Sequence, residues 1–102
     1  MEWYQYIAVF FSGVFLANAV PHFVYGICGD KFPTPFSKPP GEGLSAPYIN
    51  VLWAGFNILV GYILLRVSML QACKCAGMVV FFAGIMLMAL MLSKGFTKKH
   101  KE

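Results

Sequence analysis

Five polar side chains lie in long apolar stretches of this sequence, where they could bind a ligand or react: Asn18, His22, Tyr25, Asn50 and Asn57. His22 follows Asn18 by four residues and precedes Tyr25 by three, a spacing that puts all three on one helix face. Asn50 and Asn57 are two helical turns apart on another face. Polar groups in apolar surroundings must find partners. The pattern therefore predicts a polar pocket whose titratable member, His22, can bind a proton, a metal or an anion.

Two other interpretations of these residues remain open. Asn and His side chains can simply hold helices together, with each hydrogen bond contributing about 0.6 kcal/mol on average. Alternatively, His22 could act in an enzyme together with Asn18, Asn50 or Asp30. The sequence has no nucleophile–base–orienter set, no paired carboxylates and no phosphate-binding loop. Catalytic residues therefore cannot be assigned, and we expect no metal and no cofactor.

The elements that must position these side chains are three stretches without any charge, residues 3–29, 43–65 and 75–93. A helix needs roughly 20 apolar residues to cross the hydrocarbon core of a bilayer. The chain is 59% hydrophobic and only 12% charged, whereas charged residues make up about 25% of an average soluble domain. The sequence therefore predicts an all-α integral membrane protein of one domain, 1–102, with spans at about 3–26, 47–66 and 73–93.

The first span could be mistaken for a secretory signal. Its start carries Glu2 but neither Lys nor Arg, and its apolar run exceeds the ~7–15 residues of a signal core. We therefore expect a retained helix. The three cysteines do not predict a zinc site. Cys73 and Cys75 are closer together than the usual zinc-binding spacing, and no second Cys or His pair supplies the remaining ligands.

The connection between the first two spans, residues 27–46, is rich in proline and glycine. Its Pro33, Pro35, Pro39 and Pro40 prevent a continuous helix. Loops of this length are usually either functional or disordered, and the aromatic residues of the loop favour order. We expect an ordered loop that covers the polar pocket through four residues: Phe32, Pro33, Pro35 and Phe36.

Lysine and arginine predict the orientation. The connection and the tail, 94–102, share one side and carry six lysines, whereas the other side carries only Arg66 and Lys74. Basic residues favour the cytoplasmic side. We therefore expect the 27–47 loop and the C-terminus in the cytoplasm, and the N-terminus outside.

The third apolar stretch contains Gly77 and Gly84, seven residues apart, which would allow another helix to approach closely. The other helix could belong to the same chain or to another copy. The leading functional interpretation is a homo-oligomer that binds or passes a small solute or lipid. The alternative is a non-catalytic accessory subunit of a larger membrane protein. Expected partners are therefore the lipid bilayer, other copies of the chain and possibly a larger protein, but not nucleic acid.

Overall fold

The structure, a computed structural model, describes residues 2–40, 42–68 and 75–98. Its helices are α1 (Trp3–Ile27), α2 (Pro47–Ser68) and α3 (Cys75–Gly95), and α3 is followed by a short 3-10 helix, Phe96–Lys98. All three are long and apolar enough to cross a membrane, which suggests a membrane location. The described residues form no strand beyond one isolated bridge. The prediction of an all-α chain with three such helices is confirmed.

The helix ends lie close to the predicted ones. Helix α3 continues through Lys94, because a cation in the last turn interacts favourably with the helix dipole. The predicted start of the third span at Cys73 lies outside the described residues. Helix α1 continues through Pro21 and ends in a Schellman motif. There Gly29 has φ +77°, its N–H donates to Gly26 O at 3.1 Å, and Asp30 N–H donates to Tyr25 O at 2.9 Å.

Helix α1 is the centre of the fold. Both α2 and α3 pack against it, whereas the described parts of α2 and α3 do not pack against each other. The buried positions of α2 are one stripe of polar and small residues: Asn50, Ala54, Asn57, Gly61 and Ser68. Large apolar side chains point outward instead, as Leu52 (69% exposed) and Leu90 (63% exposed) do. This arrangement is the reverse of the one found in water-soluble proteins.

The contact between α1 and α3 depends on glycine. A Cβ atom on Gly84 would collide with the carbonyl oxygen of Phe10, and a Cβ on Gly13 would lie 2.5 Å from the carbonyl oxygen of Phe81. Gly84 thus lies at a close helix–helix contact, and the other helix is α1 of the same chain. Gly77 is buried as well.

The connection between α1 and α2 folds back on itself. Phe32 and Ser45 form an antiparallel bridge, with N–H···O distances of 3.3 and 3.0 Å. The Thr34 and Ser45 hydroxyls are 2.6 Å apart, and the Ser37 hydroxyl donates to Thr34 O at 2.7 Å. These bonds draw the two ends of the connection together beside the end of α1.

Candidate functional site

The interface between α1 and α2 carries side-chain hydrogen bonds at three levels. His22 Nδ1 lies 2.8 Å from Asn50 Oδ1, Asn18 Nδ2 donates to Asn57 Oδ1 at 3.0 Å, and the Ser12 hydroxyl donates to the Gly61 carbonyl at 2.7 Å. The contact predicted between His22 and Asn50 is confirmed by this distance. Each helix carries its short polar side chains along a single stripe, and the two stripes face each other. The helices can therefore approach closely while their polar atoms remain paired.

Asn50 joins the helices to the connection. Its amide nitrogen lies within hydrogen-bonding distance of three carbonyl oxygens, those of Phe32 (2.9 Å), Ser45 (3.2 Å) and Ala46 (3.2 Å). The side chain is fully buried. Since an amide NH2 donates and an amide oxygen accepts, these carbonyls fix which way the amide faces. The oxygen of Asn50 must point toward His22.

This arrangement assigns the tautomer of His22. In the neutral ring, Nδ1 donates its proton to Asn50 Oδ1, so Nε2 carries the lone pair. Nε2 has no hydrogen-bond partner among the described residues, although every fully buried side-chain nitrogen and oxygen among them has one. His22 is only 2% exposed. Its Nε2 therefore reaches a surface, and the surface that His22 lines is an open pocket, called here the first cavity.

This first cavity has a volume of about 320 Å³. Helix α1, helix α2, the connection and the short 3-10 helix all contribute to its wall, which is mainly apolar: Asn18, His22, Pro33, Thr34, Pro35, Pro40, Trp53 and Phe96. The Thr34 hydroxyl is committed, because it contacts the Ser45 hydroxyl and accepts from Phe36 N–H at 3.2 Å.

A second cavity, of about 430 Å³, lies between α1, α3 and the connection. Phe96 lines both cavities, and its ring packs edge-to-face against Phe32 with centroids 4.7 Å apart. Tyr25 lines the second cavity and stacks on Phe32 at 4.5 Å. Of the two rings, only that of Phe96 borders both cavities, so Phe96 is the side chain that the two cavities share.

The structure brings some of the predicted site residues together and separates others. Asn18 and His22 line the first cavity, whereas Asn50 and Asn57 are buried behind them and make the hydrogen bonds that orient them. Tyr25 lies away from this set. Of the covering residues, Pro33 and Pro35 line the first cavity and Phe32 lines the second. Phe36 does not line the first cavity. It is 66% exposed, and its ring contacts that of Trp53 with centroids 5.4 Å apart.

The sequence did not identify Thr34, Pro40, Trp53 and Phe96 as lining residues. Trp53 carries no signal, because one aromatic residue in an apolar helix resembles any other. Phe96 lies in the basic tail, 94–102, for which the sequence predicts no part in the pocket. Its ring centroid is nevertheless 6.1 Å from that of His22.

The described residues contain no group of three or more acidic, histidine or cysteine side chains that could hold a metal ion. Comparison with protein-family models, with curated proteins and with solved structures found no match.

Proposed function

We propose that this chain is a small integral membrane protein that crosses the bilayer three times, forms homo-oligomers, and binds or passes a small ligand through the first cavity. The N-terminus lies outside, and the 27–47 loop and the C-terminus lie in the cytoplasm. The loop remains ordered and covers the cavity at the cytoplasmic end of α1 and α2.

The distribution of polar and apolar side chains supports insertion. Ser12, Asn50 and Asn57 are at most 1% exposed, while Leu52 and Val79 are more than 60% exposed. In water, such an exposed apolar surface would be costly. In lipid, exposed apolar surface costs little. Lipid tails cannot form hydrogen bonds, so the polar groups must be paired inside the protein, as they are here.

The main support for ligand binding is one observation: His22 is only 2% exposed, yet its Nε2 has no hydrogen-bond partner among the described residues. Ligand sites are typically cavities of about 300–1,000 Å³ with apolar walls and a few convergent polar groups. The first cavity, at about 320 Å³, is at the lower end of that range. Buried polar atoms generally have a hydrogen-bond partner. Because this Nε2 has none in the described protein, its partner is expected to be a ligand or a solvent molecule.

The orientation can be tested with the chain's own cysteines. Cys28, just after α1, and Cys75, at the start of α3, are both exposed. We expect a membrane-impermeant maleimide to label a variant that keeps only Cys75 in intact cells, and to label a variant that keeps only Cys28 after lysis alone. The opposite pattern would invert the proposed orientation.

Ligand binding can be tested by native mass spectrometry of the protein released from lipid nanodiscs. Pro40 lies at the rim of the first cavity and is exposed, so Pro40→Trp should fill the cavity without removing a hydrogen bond. Leu52→Trp introduces the same side chain on an outward position and serves as the control. We expect a bound small molecule with the wild type and with Leu52→Trp, but not with Pro40→Trp.

If all three proteins carry the same molecules, the first cavity is not the binding site. The same spectra report the number of copies. A monomer would contradict the homo-oligomer.

The second candidate function is that of an accessory subunit in a larger membrane assembly. It is favoured by the open arrangement of the helices, since the described parts of α2 and α3 do not pack against each other and most of α3 is exposed. Such surfaces could receive helices of another protein. A protein that is monomeric and empty in the same spectra would support this function over the first.

A further inference from the structure

We infer that the ligand of the first cavity is a neutral hydroxyl compound, an alcohol or a phenol, with an apolar or aromatic body. This inference rests on the proposed function and specifies the class of ligand. It follows from the unpaired polar atoms of the wall.

The first such atom is His22 Nε2, which is an acceptor. The three carbonyls around the Asn50 amide nitrogen turn Asn50 Oδ1 toward His22, and Oδ1 can only accept. The proton of the neutral ring is thus held on Nδ1. A ligand group that pairs with Nε2 must donate a hydrogen bond.

Asn18 provides a second acceptor by the same reasoning. The amide nitrogen of Asn57 donates to Trp53 O at 2.8 Å, which fixes the orientation of the Asn57 amide. Asn57 Oδ1 therefore accepts the hydrogen bond that the amide nitrogen of Asn18 donates. Asn18 Oδ1 then faces the other way and has no hydrogen-bond partner among the described residues. Because Asn18 and His22 are one helical turn apart, one donor group can reach either acceptor.

The residues that line the cavity also limit the charge and the shape of the ligand that carries the donor group. None of the described residues that line the cavity is acidic, and an ammonium group buried without a counter-charge is strongly disfavoured. The donor is therefore neutral. A hydroxyl can in addition accept from the indole N–H of Trp53, another lining residue. The Trp53 and Phe96 rings, together with three prolines, suit a flat apolar body.

Two probes of nearly equal size test this inference, 2-naphthol and 2-methoxynaphthalene, which lacks the O–H donor. The protein is studied in phosphatidylcholine nanodiscs and carries His100→Gln, so that His22 is its single histidine. Its ring nitrogens are labelled with 15N and observed by NMR in mildly alkaline buffer, in which an imidazole is neutral. Pro40→Trp and Leu52→Trp in the same background are the blocked and matched control proteins.

We expect Nδ1 to be protonated and Nε2 unprotonated before any probe is added. The naphthol should shift the Nε2 signal, and the ether should not. The naphthol should also bind about three- to tenfold more tightly than the ether, the ratio that one net hydrogen bond provides. Pro40→Trp should bind neither probe, and Leu52→Trp should behave like the parent.

The contrary outcomes separate this inference from the proposed function. If both probes bind the parent equally and both are lost in Pro40→Trp, the cavity is a binding site but the donor requirement is wrong. A proton on Nε2 instead of Nδ1 would also overturn the donor requirement. If neither probe binds the parent more than Pro40→Trp, the proposed binding function fails together with the inference.

Discussion

Helix α1 meets its two neighbours in different ways. Against α2 it uses hydrogen bonds at three levels, between Ser12 and Gly61, Asn18 and Asn57, and His22 and Asn50. Against α3 the two close approaches, at Gly13 and Gly84, are contacts between glycines and backbone carbonyls. The first interface joins particular atoms, whereas the second joins surfaces by shape.

The difference indicates how each interface specifies its geometry. A hydrogen-bonded pair such as Asn18 and Asn57 fixes the register of two helices, because a shift along the axis leaves both groups unpaired in an apolar setting. A glycine contact fixes the distance of approach and depends on the absence of a Cβ atom. The first interface carries the polar side chains of the candidate site, and the second brings Phe96 against it.

The largest effect is expected from Gly84→Leu, which should destabilise the protein by about 3 kcal/mol, the upper end of the usual range for overpacking. The obstacle is the backbone carbonyl of Phe10, which cannot move aside as a flexible side chain can. Gly55→Leu is the matched control, because no atom outside the neighbouring backbone of its own helix lies within 4 Å of its Cβ position. We expect Gly55→Leu to be neutral or slightly stabilising. Unfolding in mixed SDS micelles measures both.

The same experiment shows whether the two interfaces are independent. If they are, the NMR signals of His22 should still report a proton on Nδ1 in Gly84→Leu, because α2 and its Asn50 are not displaced. Equal stability of Gly84→Leu and Gly55→Leu would contradict the close approach of α1 and α3. Loss of the His22 tautomer would instead mean that α3 is needed to form the first interface.

A smaller effect is expected from the pair His22 and Asn50. Each change to Leu should cost about 1–3 kcal/mol, since it leaves the other polar group buried without its partner. Asn50→Leu should cost more than His22→Leu, because Asn50 also binds the carbonyls of the connection. The double variant should cost less than the sum of the two, as expected for groups in direct contact.

A control cycle can be built from His22→Leu and Ser12→Ala, whose side chains bond to different partners at different levels of the interface. Their effects should add to within about 0.5 kcal/mol. Strict additivity in the His22–Asn50 cycle as well would show that the 2.8 Å contact contributes no coupling. The cycles are measured by the same unfolding assay.

Much of the fold could be predicted from the sequence because apolar length and hydrogen-bonding need are strong constraints. Three charge-free stretches in 102 residues require three long helices. Asn50 and Asn57, spaced by two turns with Ala54 between them, had to share a buried stripe, and they do. The contact of His22 with Asn50 followed from the same need.

The cavity could not be predicted in this way, because its wall is made of apolar and aromatic side chains. Helical spacing placed Tyr25 with Asn18 and His22, but spacing fixes only the direction of the Cβ atom. The ring of Tyr25 stacks on Phe32, which reaches it from the connection. Phe96 reaches His22 because α3 continues past Lys94 and is followed by a 3-10 helix. Neither arrangement has a sequence signature.

The smallest effect is expected from Ser12→Ala, which removes the hydroxyl that donates to the Gly61 carbonyl at 2.7 Å. That carbonyl belongs to the backbone of α2 and can keep a helical partner, so no group is left wholly unpaired. We expect a loss of about 0.6 kcal/mol, the average for such bonds between helices in membranes. The matched comparison is Gly61→Ala, which keeps the hydrogen bond but places a Cβ atom 2.7 Å from Leu16 Cγ. Gly61→Ala should cost more than Ser12→Ala if close approach matters more than the hydroxyl at this level of the interface. The reverse order in the unfolding assay would show that α1 and α2 are held by hydrogen bonds here and tolerate a wider separation, which would make the contrast with α3 sharper.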